Sequence, residues 1–183
     1  ITLPLVLALV LFSPFFIRFF FGAEYLSGVL SFQILLVGMF LFTPASINHS
    51  VLAGMGKPFL VTKIIIISAI VNAGLNFLLI PIYGINGAAI STSISYLLAL
   101  ILSTRQISQQ IGMEVNLKMW AKLVCGGTVF AVVVYLMQFF LQLNVWLELI
   151  ISTTIGLVFY AAIILWLKIV DLNEIKYNLR LVR

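Results

Sequence analysis

Charged residues are scarce: Asp, Glu, Lys and Arg make up 8% of the 183 residues, against 63% hydrophobic. A soluble domain needs about a quarter of its residues charged to face water. A chain this poor in charge, with a mean hydropathy of +1.25, is expected to be an integral membrane protein. Cysteine occurs once, at Cys125, which excludes a disulfide scaffold and a thiolate metal site, since both need paired thiols. Histidine also occurs once, at His49, without a second His, a Cys pair or an acid at ligand spacing, so no metal site is expected. Acidic residues number five, and Glu24, Glu114, Glu148, Asp171 and Glu174 all fall near span boundaries or in loops. A carboxylate relay for protons or sodium is therefore not visible. There is no G-x-S-x-G, no Walker sequence, no dinucleotide fingerprint and no paired-carboxylate motif. No enzymatic activity and no cofactor are expected from these residues. The net charge of +5 is read through its placement near a membrane, not as a nucleic-acid surface.

Apolar runs dominate the chain. Crossing about 30 Å of hydrocarbon takes about 20 apolar residues in a helix, and six such spans are expected, at about 1–16, 29–52, 59–80, 85–102, 119–141 and 146–167. The first is interrupted by Pro4 and Pro14 and leads to Arg18, Phe19-Phe20-Phe21 and a polar turn at Gly22-Ala23-Glu24-Tyr25. Together the spans form an all-α transmembrane lobe over residues 1–171, followed by a tail at 172–183. The tail puts Leu172, Ile175, Leu179 and Val182 on one helical face and Lys176, Arg180 and Arg183 away from it. That pattern suits a helix lying on an anionic leaflet; a frayed, solvated terminus is the alternative. The sequence opens on Ile1 inside an apolar run, with no initiator Met or signal peptide, so a preceding N-terminal portion is expected.

The basic residues orient the spans. Lys57, Lys63, Arg105, Lys118, Lys122, Lys168, Lys176, Arg180 and Arg183 share one side, and Arg18 alone lies on the other, with Glu24 and Glu148. Lys and Arg accumulate in cytoplasmic loops. Both ends of the chain are accordingly expected in the cytoplasm, and the Pro81–Asn86 turn on the outer face.

Polar residues inside the spans are the candidate functional groups. Ser68, Asn72 and Asn76 recur every four residues, so they share one face of the third span. Amides in hydrocarbon need partners: either neighbouring helices, as interhelical glue, or a wetted substrate path. Gly87, Ser91, Ser95 and Ala99 repeat at the same spacing in the fourth span, where small side chains let two backbones approach and pack. Pro81 is expected to end the third helix, and Gly84 to take the positive φ of a tight turn. In the second span Pro44 sits beside Thr43, Ser46, Asn48, His49 and Ser50. A proline there frees a carbonyl and offers a hinge, while His49 is either a satisfied structural histidine or a protonation or substrate contact. Arg18 and Lys63 lie within about one turn of their boundaries, placed either to snorkel to headgroups or to meet a phosphate.

Three phrases carry a family resemblance: Phe21-Gly22-Ala23-Glu24-Tyr25, then Leu52-Ala53-Gly54-Met55-Gly56-Lys57-Pro58, then the long run from Asn72-Ala73-Gly74-Leu75-Asn76 through Pro81-Ile82-Tyr83-Gly84-Ile85-Asn86 to Gly87-Ala88-Ala89. Over roughly Phe12 to Gln110 the chain resembles the C-terminal half of polysaccharide biosynthesis membrane proteins, the O-antigen-type flippases of the multidrug/oligosaccharidyl-lipid/polysaccharide exporter superfamily. The resemblance implies a two-lobe transporter in the cytoplasmic membrane that moves undecaprenyl-diphosphate-linked oligosaccharide by alternating access, for surface polysaccharide biosynthesis. This chain would then be most of the second lobe. Its implied partners are the lipid-linked oligosaccharide, membrane lipids and the N-terminal lobe of the same protein. A cation-coupled drug or metabolite exporter of the same superfamily is an alternative that would need a membrane-embedded acid. A membrane glycosyltransferase or polymerase is a second alternative, disfavoured by the short outer connectors.

Overall fold

The computed structural model describes residues 2–112, 117–141 and 144–166. Among these the chain is helical, with no strand. The elements are α1 (Thr2–Leu11), α2 (Ser13–Phe20), a 3₁₀ segment (Ala23–Gly28), α3 (Val29–Gly54), α4 (Pro58–Tyr83), α5 (Ile85–Ile111), α6 (Leu117–Leu141) and α7 (Val145–Trp166). Five of them are individually long and apolar enough to cross a membrane, and the broken pair α1 and α2 makes six if it counts as one span. The protein is thus an all-α, multi-pass membrane protein. The tail at 172–183 lies outside the described residues.

Helix ends follow local chemistry. The first expected span is split at Phe12, and α2 begins with Ser13 and Pro14 in its first turn, where a proline's missing N–H costs nothing. Pro4, expected to interrupt as well, does not: it lies in the first turn of α1, which runs on to Leu11. Arg18 is correspondingly inside α2, not in a loop beyond it. Pro81 is the second correction. It does not end the helix, because α4 continues to Tyr83. A proline in the last turn removes one donor, and in hydrocarbon the following residues have no water to turn to, so the helix keeps its remaining bonds. The stop comes at Gly84, at φ +56°, whose N–H donates to the Ile80 carbonyl at 2.8 Å. The expected connector Pro81–Asn86 is therefore the single residue Gly84 between α4 and α5. At the far end α5 outlasts its apolar stretch: the helix continues beyond Leu102 through Arg105 to Ile111, and the Gly112 N–H caps Ser108 at 2.9 Å.

Helices α3, α4 and α5 have 26, 26 and 27 residues, about 40 Å each at 1.5 Å per residue, enough to cross about 30 Å of hydrocarbon and emerge. Their outward faces are apolar, with Phe77 82% exposed and Leu78 and Ile82 exposed beside it. Lipid tails, or another apolar helix face within the membrane, can cover such a surface without penalty.

The chain forms two compact units, one of α1 with α6 and α7, the other of α2 to α5. In the first, α6 and α7 meet where Gly156 lies over Phe130 and Val134 and Gly126 over Tyr160. The Phe130 and Tyr160 rings meet edge to face at 6.4 Å. Gly127 faces Leu3 and Leu7 of α1 so closely that a Cβ there would lie 2.6 Å from the Leu3 side chain. In the second unit α5 is the central helix, packed along its length against both α3 and α4, whereas α3 and α4 touch each other little. Its core gathers Ala45, Leu52, Ile64, Ala99 and Ile107.

The small-residue face of α5 does what its spacing implies. Gly87, Ser91, Ser95 and Ala99 are all buried, and a Cβ on Gly87 would collide with the Leu79 backbone carbonyl. The Ser91 and Ser95 hydroxyls donate back to the Gly87 and Ser91 carbonyls, each at 2.8 Å, and so carry no unmet polarity into the seam.

Candidate functional site

Because α3 and α4 both lean on α5 but diverge from each other, a cleft of about 330 Å3 lies between them with α5 as its floor. From α3 it is lined by Phe42 and His49, and from α4 by Ile65, Ser68, Ala69 and Asn72. The floor supplies Thr92, Ser95, Tyr96 and Ala99. Ser68 and Asn72 reach it together because they are one helical turn apart.

Hydrogen bonding divides the polar lining into satisfied and unsatisfied groups. The Asn72 amide donates to Thr92 Oγ1 across the α4–α5 seam at 3.3 Å and accepts from Asn76 Nδ2 at 2.8 Å. Thr92 in turn donates to the Ala88 carbonyl at 2.9 Å. By contrast, His49 Nε2, Ser68 Oγ and Asn76 Oδ1 are buried without a partner. Each unsatisfied buried polar group costs about 1–3 kcal/mol, and native proteins leave few of them. Two of these three line the cleft, and the third lies one turn along from Asn72. Such a concentration is what a surface that binds water or a polar ligand requires.

The expected site residues are thus only partly brought together. Ser68, Asn72 and His49 share the cleft, with Asn76 at its edge. Asn48 faces the other way: its amide donates to Ser103 Oγ at 3.2 Å and Thr104 Oγ1 at 3.0 Å, tying α3 to α5. Lys63 and Arg18 are exposed and lie outside the cleft lining, the placement snorkelling side chains take. Pro44 sits inside α3 between the cleft residues Phe42 and His49, and the helix runs through it unbroken. Neighbouring hydroxyls bond around it, Thr43 to the Met39 carbonyl at 3.0 Å and Ser46 to the Thr43 carbonyl at 2.8 Å.

Five of the ten lining residues are not marked by the sequence: Ile65 and Ala69, which are apolar wall, and Phe42, Thr92 and Tyr96. Thr92 is masked by the small-residue run around it. Phe42 and Tyr96 look like ordinary apolar positions, yet their rings meet at 4.6 Å, tilted by 35°. The signal available for Thr92 and Tyr96 is their spacing of four, which places them on one α5 face beside Ser95. Among the described residues no three His, Cys, Asp or Glu side chains come together to hold a metal.

No protein-family model matches the chain, and no solved structure matches it. It is similar to the uncharacterized membrane protein MJ1068 of Methanocaldococcus jannaschii, 32% identical over 176 residues. The likeness covers 96% of this chain and 34% of the relative, so the chain spans about a third of that protein's length. The similarity to a membrane protein agrees with the apolar helices.

Proposed function

We propose that the chain forms one lobe of a flippase that carries undecaprenyl-diphosphate-linked oligosaccharide across the cytoplasmic membrane by alternating access. The observation that carries this reading is the cleft between α3 and α4, where His49 Nε2 and Ser68 Oγ are buried and unpartnered inside a lobe whose outside is apolar. A purely structural membrane bundle gains nothing from unsatisfied polar atoms in its interior. A carrier of hydrophilic cargo does, because it must replace the cargo's hydration. Flipping breaks no covalent bond, so the lobe acts without catalytic residues or a cofactor. The three phrases of flippase-like sequence support this choice of cargo, and the greater length of the methanogen relative is compatible with a further lobe. Lys57, Arg105, Lys118 and Lys122 each lie at or within two turns of a helix end that faces the cytoplasm in this reading.

Reconstituted full-length protein should translocate a fluorescent lipid-linked oligosaccharide in a lectin-protection assay. Replacing the cleft amide and its neighbour at the edge, Asn72→Leu with Asn76→Leu, takes away on the order of two hydrogen bonds that a polar cargo would make, about 1 kcal/mol each, and should slow translocation about tenfold or more in protein whose melting curve shows it folded. Transport at the wild-type rate would exclude the stripe from the substrate path.

A further inference from the structure

We infer that the α3–α4 cleft binds a neutral, polyhydroxylated ring such as a hexose or N-acetylhexosamine, and not a phosphate group. The lining contains no Lys, Arg, Asp or Glu, so an anion entering it would lose its water with no counter-charge to replace it. What the lining does offer is mixed neutral hydrogen bonding. Ser68 Oγ both donates and accepts, His49 Nε2 does one or the other according to tautomer, and the Asn72 amide can do both. Sugar hydroxyls also donate and accept, and so can satisfy Ser68 Oγ and His49 Nε2 together, the two atoms the fold leaves unpaired. Beside them the tilted Phe42 and Tyr96 rings present aromatic surface, against which the C–H face of a pyranose packs. The volume of about 330 Å3 is at the lower end of small-molecule sites, which run from about 300 to 1,000 Å3. It suits one substituted ring.

The inference rests on the transport reading for the source of the ring, a glycolipid headgroup, but not for its chemistry, which a free sugar shares. A diphosphate on such a substrate would have to be held outside this cleft.

The test is equilibrium binding to the full-length protein in nanodiscs, with tritiated N-acetylglucosamine and polyprenyl-diphospho-N-acetylglucosamine as separate probes and inorganic pyrophosphate as competitor. Ser68→Ala removes a hydroxyl that bonds to nothing, so folding should be kept, and binding should weaken about fivefold for one lost hydrogen bond. Ala69→Phe, which fills the cleft, should abolish binding while melting curves verify folding. Pyrophosphate should not displace the free sugar. If both probes bind and respond to the variants, the cleft takes the ring from either source; if only the conjugate does, the source is the lipid headgroup. Both outcomes support the inference, and they do so even if the protein proves unable to flip the conjugate, which would overturn the transport reading alone. Binding of neither probe, binding unchanged in both variants, or displacement of the sugar by pyrophosphate overturns the inference, even where flipping persists.

Discussion

The two flanks of α5 hold their neighbours differently. Toward α3 the seam is stitched near both ends and between: Ser31 Oγ donates to Asn86 Oδ1 at 2.6 Å, Ser93 Oγ to the Ile34 carbonyl at 2.9 Å, and Asn48 to Ser103 and Thr104. Gly38 lies against Ser93 with no room for a Cβ, which would fall 2.5 Å from Ser93 Oγ. Toward α4 the polar attachments are at the Gly84 end, by the turn itself, the contact of Gly87 with the Leu79 backbone and the Asn72–Thr92 bond at 3.3 Å, while farther along the packing is apolar, with Ile64 in one core with Ala99 and Ile107. Beyond Asn72, α4 turns Ser68 and Ile65 toward the cleft, and Lys57, in the α3–α4 turn, reaches Gln110 near the end of α5. The two seams use similar residue types. A polar side chain whose donors and acceptors are used across its seam is a strut; one with a donor or acceptor left over on the cleft side, as at Ser68 and His49 and in part at Asn72, is available to a ligand.

This difference can be broken, beginning with the largest effect. Gly87→Leu would force α4 away from α5 where their backbones meet, and should cost about 3 kcal/mol as overpacking against a backbone group that cannot rotate aside. A melting curve in detergent would read the loss, and an unchanged midpoint would mean that the Gly84 end does not secure α4. Next, Asn48→Ala removes the amide that joins α3 to Ser103 and Thr104. Interhelical hydrogen bonds in membranes are worth about 1 kcal/mol, so the same assay should show a loss near that size with transport retained. The smallest effect sharpens the contrast: Ser68→Ala should leave stability within about 0.5 kcal/mol of wild type, since no bond is lost and an unsatisfied group is removed. A destabilisation equal to that of Asn48→Ala would make Ser68 a strut after all.

How much of this was legible beforehand follows from what each feature depends on. The long helices depend on hydropathy over about 20 residues, and α3, α4, α6 and α7 follow the expected spans closely. Ends set by single residues were harder to read. A proline's effect depends on its position within the turn, and both Pro4, in a first turn, and Pro81, in a last turn, leave their helices running. Pro14, at the start of α2, does coincide with a break. The stripe of Ser68, Asn72 and Asn76 was visible because it is one-dimensional, a property of α4 alone. Which of its members would find partners was not, because Thr92 and Tyr96 enter only through the way α5 turns against α4. Asn48 and His49 show the same limit at closest range. Adjacent in sequence and about 100° apart on the helix, they serve opposite functions, one as a strut to α5 and one on the cleft wall.

The central claim is that the α3–α4 cleft is a wetted polar site while the α5 seam at Gly87 and Ser91, outside the cleft lining, is dry packing. Thiol accessibility separates the two directly. In a Cys125→Ser background, Ser68→Cys and Ser91→Cys would each be challenged, in proteoliposomes opened to both sides, with a charged methanethiosulfonate that cannot enter hydrocarbon. The account predicts fast modification at position 68, slowed by the sugar conjugate, and protection at position 91. Equal protection at both positions would contradict it.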